Sequence, residues 1–220
     1  MSTLCLTGWQ QPADALSAIA PDDAEHFDYS AYNNADAMFK ALPPTPQLAI
    51  GWSLGGQLLM RAISGGHVKP KMLILLAVPY QWVASSKFPG GFPKATVNEV
   101  RKKYRNDPVL MLKSLNALIA LGDLRERQIT RTLNDGLAIW PNGAFWLEEL
   151  ISGSCDPLDF SAFPPALIIH GLNDKVIRIA NAQAISARMP QAESLLWPRC
   201  AHAPHLHDAE ALLDIVSEYV

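Results

Sequence analysis

Residues 48–58 read Leu-Ala-Ile-Gly-Trp-Ser-Leu-Gly-Gly-Gln-Leu, an apolar run that stops at Gly51, followed by a serine at 53, a glycine pair at 55 and 56 and then apolar helix formers. A Gly-x-Ser-x-Gly turn of this kind joins a strand to a helix with almost no loop, so strand and helix cross too closely for a Cβ at the flanking positions. The same turn holds the serine in a strained backbone conformation with its hydroxyl above the sheet. No other segment restricts the fold as much. It requires a strand entering a sheet, a helix leaving it and an open face beyond the strand end.

The rest of the chain supplies the sheet. Strands are predicted over 3–7, 26–29, 47–51, 72–78, 166–170 and 194–197, the run over 72–78 being continuously apolar as in a strand buried on both faces. Helical spacing over 32–42 is broken by Pro43, Pro44 and Pro46, and the helix over 54–64 ends at Gly65 and Gly66. Further helices are predicted over 179–188 and 208–219. From residue 85 to 153 strand-like runs disappear, and short amphipathic helices are predicted over 94–105, 107–121, 124–135 and 143–151. The fold class expected is α/β, a doubly wound, mostly parallel sheet. Its core is 1–84 plus 154–220, and 85–153 form an inserted helical cap.

A chain of 220 residues suits one domain with a large core. No window approaches the roughly 18 uncharged apolar residues of a membrane span. The opening Met-Ser-Thr-Leu-Cys-Leu lacks a basic region followed by an apolar stretch, so no secretory leader is expected and the cytoplasm is the expected location. Cys5, Cys155 and Cys200 are too few and too widely spaced for a disulfide framework or a zinc site and read as small buried apolar residues. A net charge of −3 excludes a generally basic nucleic-acid binder.

A serine hydroxyl is a weak nucleophile until a base takes its proton, and that base needs an orienting carboxylate. On a sheet of this type the three follow in the order Ser, Asp, His, at strand ends. Asp174 lies just past the strand over 166–170, in Gly171-Leu172-Asn173-Asp174, and His202 lies just past the strand over 194–197. The competing role for Asp174 is a helix N-cap. His205 and His207 are expected to be solvated or capping residues near the last helix, and His170 a hydrogen-bonded structural histidine. Two backbone donors are needed for an oxyanion. The candidates are the amide of Leu54 and that of Trp9, at the end of the first strand in Thr7-Gly8-Trp9. Trp52 beside the serine, with Trp82, Phe145 and Trp146 from the cap side, are candidates for shaping an acyl pocket; packing in the core is the alternative for each, and the preferred one for the cap aromatics. No metal or organic cofactor is expected.

Gly51-Trp52-Ser53-Leu54-Gly55-Gly56, Leu172-Asn173-Asp174-Lys175-Val176 and Ala201-His202-Ala203-Pro204 together resemble the pimeloyl-ACP methyl ester esterases of biotin synthesis, which are α/β-hydrolases. The resemblance covers the catalytic core in order and spacing, and the cap only in its being helical. It implies hydrolysis of a methyl ester on a pimeloyl chain carried by acyl carrier protein. Two departures stand out. The antiparallel hairpin that usually opens such a sheet is expected to be lacking, and Thr7-Gly8 stands where the family has His-Gly.

The carrier would be strongly acidic, and residues 86–131 hold ten Lys or Arg against four acids. Arg101, Lys102, Lys103, Arg105, Arg125, Arg127 and Arg131 are the candidate carrier contacts, which would steer association in a salt-dependent way. A solvated helix face is the alternative for this run. For the whole chain the alternatives are a general short-chain carboxylesterase or thioesterase, and a non-catalytic binding protein on a hydrolase scaffold.

Overall fold

The computed structural model describes residues 2–219. Among them six strands form one sheet: β1 (Thr3–Leu6), β2 (Glu25–His26), β3 (Leu48–Trp52), β4 (Met72–Leu76), β5 (Ala166–Gly171) and β6 (Glu193–Trp197). Their order is β2-β1-β3-β4-β5-β6, and every neighbouring pair is parallel. The four inner strands carry nearly unbroken buried runs, as a sheet covered by helices on both faces requires. At one edge β6 exposes Glu193 and Ser194, and at the other β2 is only two residues long.

The helices are α1 (Ala35–Ala41), α2 (Leu54–Ser64), α3 (Lys94–Asn106), α4 (Pro108–Ala120), α5 (Glu126–Asp135), α6 (Gly143–Ser152), α7 (Ala180–Arg188), α8 (Pro204–His207) and α9 (Ala209–Ser217). Capping explains where several depart from the predicted bounds. Asn34 accepts from the amide of Ala37, so α1 starts after it and not at residue 32. Asp107 accepts from the amide of Leu110 with Pro108 in the first turn, which separates α3 from α4. Asp208 accepts from the amide of Ala211 and divides the last helical stretch into α8 and α9.

The helices α3 to α6 lie in the connection between β4 and β5. Parallel pairing in register places the carboxyl ends of the strands together. Leu6 is opposite Gly51, Trp52 opposite Leu76, and Gly171 opposite Trp197. The chain winds outward in opposite directions from β1 and β3, so the crevice of this sheet opens between those two strands. Cys5, Cys155 and Cys200 are buried free thiols, and burial pushes those of Cys5 and Cys155 up to about 12, which leaves them inert. No helix among the described residues is long and apolar enough to cross a membrane.

Candidate active site

Ser53 joins β3 to α2 at φ 53° and ψ −123°, a conformation non-glycine residues rarely adopt. Its amide donates to the Leu76 carbonyl at 2.9 Å and its own carbonyl accepts from the Gln57 amide at 3.2 Å, so backbone on both sides fixes the turn. A Cβ at Gly51 would run into the backbone of Gly56, and one at Gly55 into the carbonyl oxygens of Leu6 and Thr7. The elbow therefore packs directly on the end of β1.

The Ser53 Oγ lies 3.0 Å from Nε2 of His202, whose Nδ1 lies 2.7 Å from Oδ2 of Asp174. All three side chains are buried to within 7% relative exposure, so water competes little for these bonds. The other oxygen of Asp174 accepts from the amides of Val176 and Ile177, each at 2.8 Å. Asp174 caps no helix: α7 begins only at Ala180. With its carboxylate held from behind, the Nδ1–H of His202 has one acceptor, and Nε2 faces the serine as a proton acceptor.

His202 is held by its neighbours as well. Its amide donates to Ile119 of α4 at 3.0 Å, and its carbonyl accepts from the Trp52 indole at 2.8 Å. The preceding amide, Ala201, donates to Asp123 Oδ2 at 2.8 Å, while Asp123 Oδ1 accepts from the Arg125 amide and from His207 Nδ1. Nothing in the sequence marked Asp123. It lies in the turn between α4 and α5, far along the chain from the loop it supports.

His170 is fully buried and donates from Nε2 to the Ile177 carbonyl at 2.8 Å, the structural role expected of it; burial, above all, holds its imidazole below the ordinary range. His205 and His207 differ from expectation. His205 is buried against the Trp52 ring, with centroids 4.3 Å apart, and neither ring nitrogen has a partner among the described residues. His207 is paired with Asp123. The reason is the short α8, which turns both side chains under the site instead of out to solvent. Asp123, Cys200 and His207 bring metal-ligand atom types within 4.8 Å of one another. Both Asp123 oxygens are already engaged, and burial pushes the Cys200 thiol up, so the cluster reads as a hydrogen-bonded brace.

Trp9, on the loop after β1, lines the same cavity as Ser53, and Leu54 follows Ser53 as the first residue of α2. Among the described residues neither backbone amide donates to a chain acceptor. The carbonyl of Thr7 accepts from the Tyr29 hydroxyl at 2.9 Å, a contact that steadies the loop in which Thr7 replaces the usual histidine.

Ser53 and His202 open on a cavity of about 200 Å³. Its walls are overwhelmingly apolar: Trp52 from the end of β3, Trp82 from the segment after β4, Val97 and Val100 from α3, Met111 and Leu115 from α4, with Lys103 and Lys175 among the few charges. Of the four pocket candidates, Trp52 and Trp82 line it. Phe145 and Trp146 do not line it. Trp146 is fully buried, donates from its indole to the Tyr32 carbonyl and packs edge-on against Tyr29, with Phe145 edge-on against it. The inward face of α6 is turned toward the β2–α1 connection at that point, and Leu150 one turn later reaches the cavity. The stripe of Met111, Leu115 and Leu118 at helical spacing on α4 was the available signal for the cavity wall.

Among the basic candidates, Arg101 is occupied: its guanidinium makes two bonds to Glu148, at 2.8 and 2.6 Å, and a third to Asn98. Arg131 lies 3.7 Å from Asp135. Lys102, Lys103, Arg105, Arg125 and Arg127 are exposed, on α3 and around the start of α5.

The profile of the alpha/beta hydrolase family matches residues 5–215. A pimeloyl-[acyl-carrier protein] methyl ester esterase of Aromatoleum aromaticum is 28% identical over 197 residues, 84% of this chain and 78% of that protein. The biotin biosynthesis bifunctional protein BioHC of Teredinibacter turnerae is 25% identical over 90% of this chain, which spans only 36% of that longer protein. Among solved structures, a bromoperoxidase from Bacillus anthracis superposes with a TM-score of 0.81 at 17% identity, covering 99% of this chain and 91% of the other, a likeness of fold alone. With the match running through nearly the whole sheet and its connections, the chain belongs to the alpha/beta hydrolase family.

Proposed function

We propose that the protein is a serine carboxylesterase that hydrolyses the methyl ester of a pimeloyl chain carried on acyl carrier protein, in the cytoplasm. The observation that carries the chemistry is the unbroken hydrogen-bonded chain Ser53–His202–Asp174 at the mouth of an apolar cavity. The substrate class rests on the likeness to the named esterases. Residues 85–153 act as the cap.

In this reading His202 takes the proton of Ser53 as Oγ attacks the ester carbonyl, and Asp174 stabilises the imidazolium that forms. The amides of Trp9 and Leu54 stabilise the oxyanion of the tetrahedral intermediate. Its collapse breaks the carbonyl carbon–oxygen bond, and methanol leaves with the proton from His202. Water, deprotonated by His202, then attacks the acyl-serine, and the free acid leaves as Ser53 recovers its proton. The apolar walls suit the acyl methylenes, and the exposed basic residues of α3 and α5 suit the acidic carrier.

A general short-chain carboxylesterase is the second reading. It is favoured by the pairing of Arg101 with Glu148, which removes one cation from the carrier-facing set. The test is turnover of a p-nitrophenyl ester, of free dimethyl pimelate and of methyl pimeloyl-ACP, by the protein and by Ser53→Ala. Loss of all three in Ser53→Ala is expected, with a carrier preference that fades as salt rises. Undiminished turnover by the variant would sink the chemistry, and equal efficiency on carried and free esters would favour the general esterase.

A further inference from the structure

The loop after β1 is fastened to the helices between β4 and β5 by side chains. Trp9 Nε1 donates to the Gly143 carbonyl at the start of α6, at 2.8 Å. Gln10 Oε1 accepts from the Trp140 amide at 3.0 Å, and Gln10 Nε2 donates to the Tyr104 hydroxyl on α3 at 2.6 Å. Gln11 Nε2 reaches Asn116 on α4 at 3.4 Å. Gly143 sits so close to this junction that a Cβ there would collide with the Gln10 carboxamide and the Tyr104 hydroxyl.

Gln10 holds this junction at a conformational cost. Its φ is 60°, where glycine is at ease and a long side chain is not, and it is only 2% exposed. A strained, buried residue next to a proposed catalytic amide persists only where its surroundings over-determine it. Here the carboxamide joins two separate pieces of the helical segment, the end of the 136–140 stretch through Trp140 and α3 through Tyr104, and both its polar ends are satisfied. A turn closed by the Gln11 amide on the Gly8 carbonyl, at 3.2 Å, holds the backbone around it, and the carboxamide ties that turn to the helices.

We infer that Gln10 is a positioning residue whose carboxamide aims the Trp9 amide at the oxyanion site by clamping the loop to α3 and to Trp140. The oxyanion donor is then in place only while these helices are seated, so the helical segment takes part in transition-state stabilisation as well as walling the cavity. The inference rests on the proposed serine-esterase reading of the site.

Gln10→Gly removes the clamp together with the rest of the side chain, and glycine accepts the same φ without cost, so a loss cannot come from new backbone strain. Tyr104→Phe removes the hydroxyl partner while keeping the ring against Trp9, where the centroids are 5.0 Å apart. With a p-nitrophenyl ester, Gln10→Gly is expected to lower kcat by about 10- to 100-fold with KM within about twofold, the signature of a contact made in the transition state. Affinity for an alkyl boronic acid, which forms a tetrahedral adduct on the serine, should fall in parallel. Tyr104→Phe should show a smaller loss with the same split, and the double variant should lose less than the product of the two. Unchanged kcat in Gln10→Gly overturns the inference. Should that variant fail to fold, unchanged kcat in a folded Tyr104→Phe overturns it equally. Full turnover by Ser53→Ala would instead overturn the functional reading, and the inference with it.

Discussion

His205 gives this protein a built-in sensitivity to acid. The imidazole is 1% exposed, packed on the Trp52 ring, with neither nitrogen paired and His202 nearby. Burial first, and the charge of His202 second, push it from the ordinary 6.5 down to about 3. The folded chain thus refuses a proton that the unfolded chain binds, and stability present above the unfolded value is lost as pH falls from there toward the folded one. Each pH unit in that window removes about 1.4 kcal/mol, so going from pH 6.5 to about pH 5 costs about 2 kcal/mol, whatever the folded value below 5. Against a total of about 5 to 15 kcal/mol for a domain, this is a large share. Urea unfolding followed by tryptophan fluorescence at about pH 7.5 and about pH 5 measures it, with His205→Leu as the perturbation, close in volume and unable to titrate. The wild-type chain should lose about 2 kcal/mol more than the variant over that interval, the contribution of His170 and the carboxylates cancelling in the difference. Equal losses in the two proteins would refute the reasoning and mean that His205 takes its proton inside the fold.

Other expectations follow from single contacts. Gly55→Ala drives a Cβ into the carbonyls of Leu6 and Thr7, backbone that cannot give way, and should cost about 3 kcal/mol or more, read as a lowered urea midpoint or loss of soluble protein. Asp123→Asn keeps one acceptor of the carboxylate that holds the Ala201 and Arg125 amides and His207, and should destabilise by about 2 kcal/mol. The same change should lower kcat and expose the buried Cys200 to a thiol reagent, and a thiol that stays unreactive would count against the brace. Ser53→Ala should abolish ester turnover with little effect on stability, and Gln10→Gly should lower kcat at nearly constant KM.

The parts that could be read directly from the sequence are those set by neighbours along the chain. A strand period that changes to a helix period within three residues needs only local sterics, so the elbow at Ser53 and its glycines are visible without a fold. The positions of Asp174 and His202 were also legible, because parallel strands in register deliver their carboxyl ends to one edge and place the following loops side by side. Periodicity likewise found the helices of the 85–153 stretch, while elsewhere caps such as Asn34 and Asp208 set helix bounds that the apolar pattern did not show. It could say that Trp146 faces inward. It could not say that inward means Tyr29 and not the cavity.

What the tertiary structure alone decided are contacts whose partners lie far apart in sequence. Asp123 meets Ala201 across 78 residues, and Gln10 meets Tyr104 across 94 and Trp140 across 130. Such bonds leave no period or motif, because a buried polar side chain is satisfied by whichever group the packing brings to it. The same holds for charge: the sequence counted Arg101 among free cations, and only the approach of α6 to α3 gave it Glu148. The sequence determined that a serine would stand strained above a parallel sheet with a histidine and an aspartate near it. The fold determined how the loops bearing them are held, since burial and close packing, not order along the chain, decide which donors and acceptors meet.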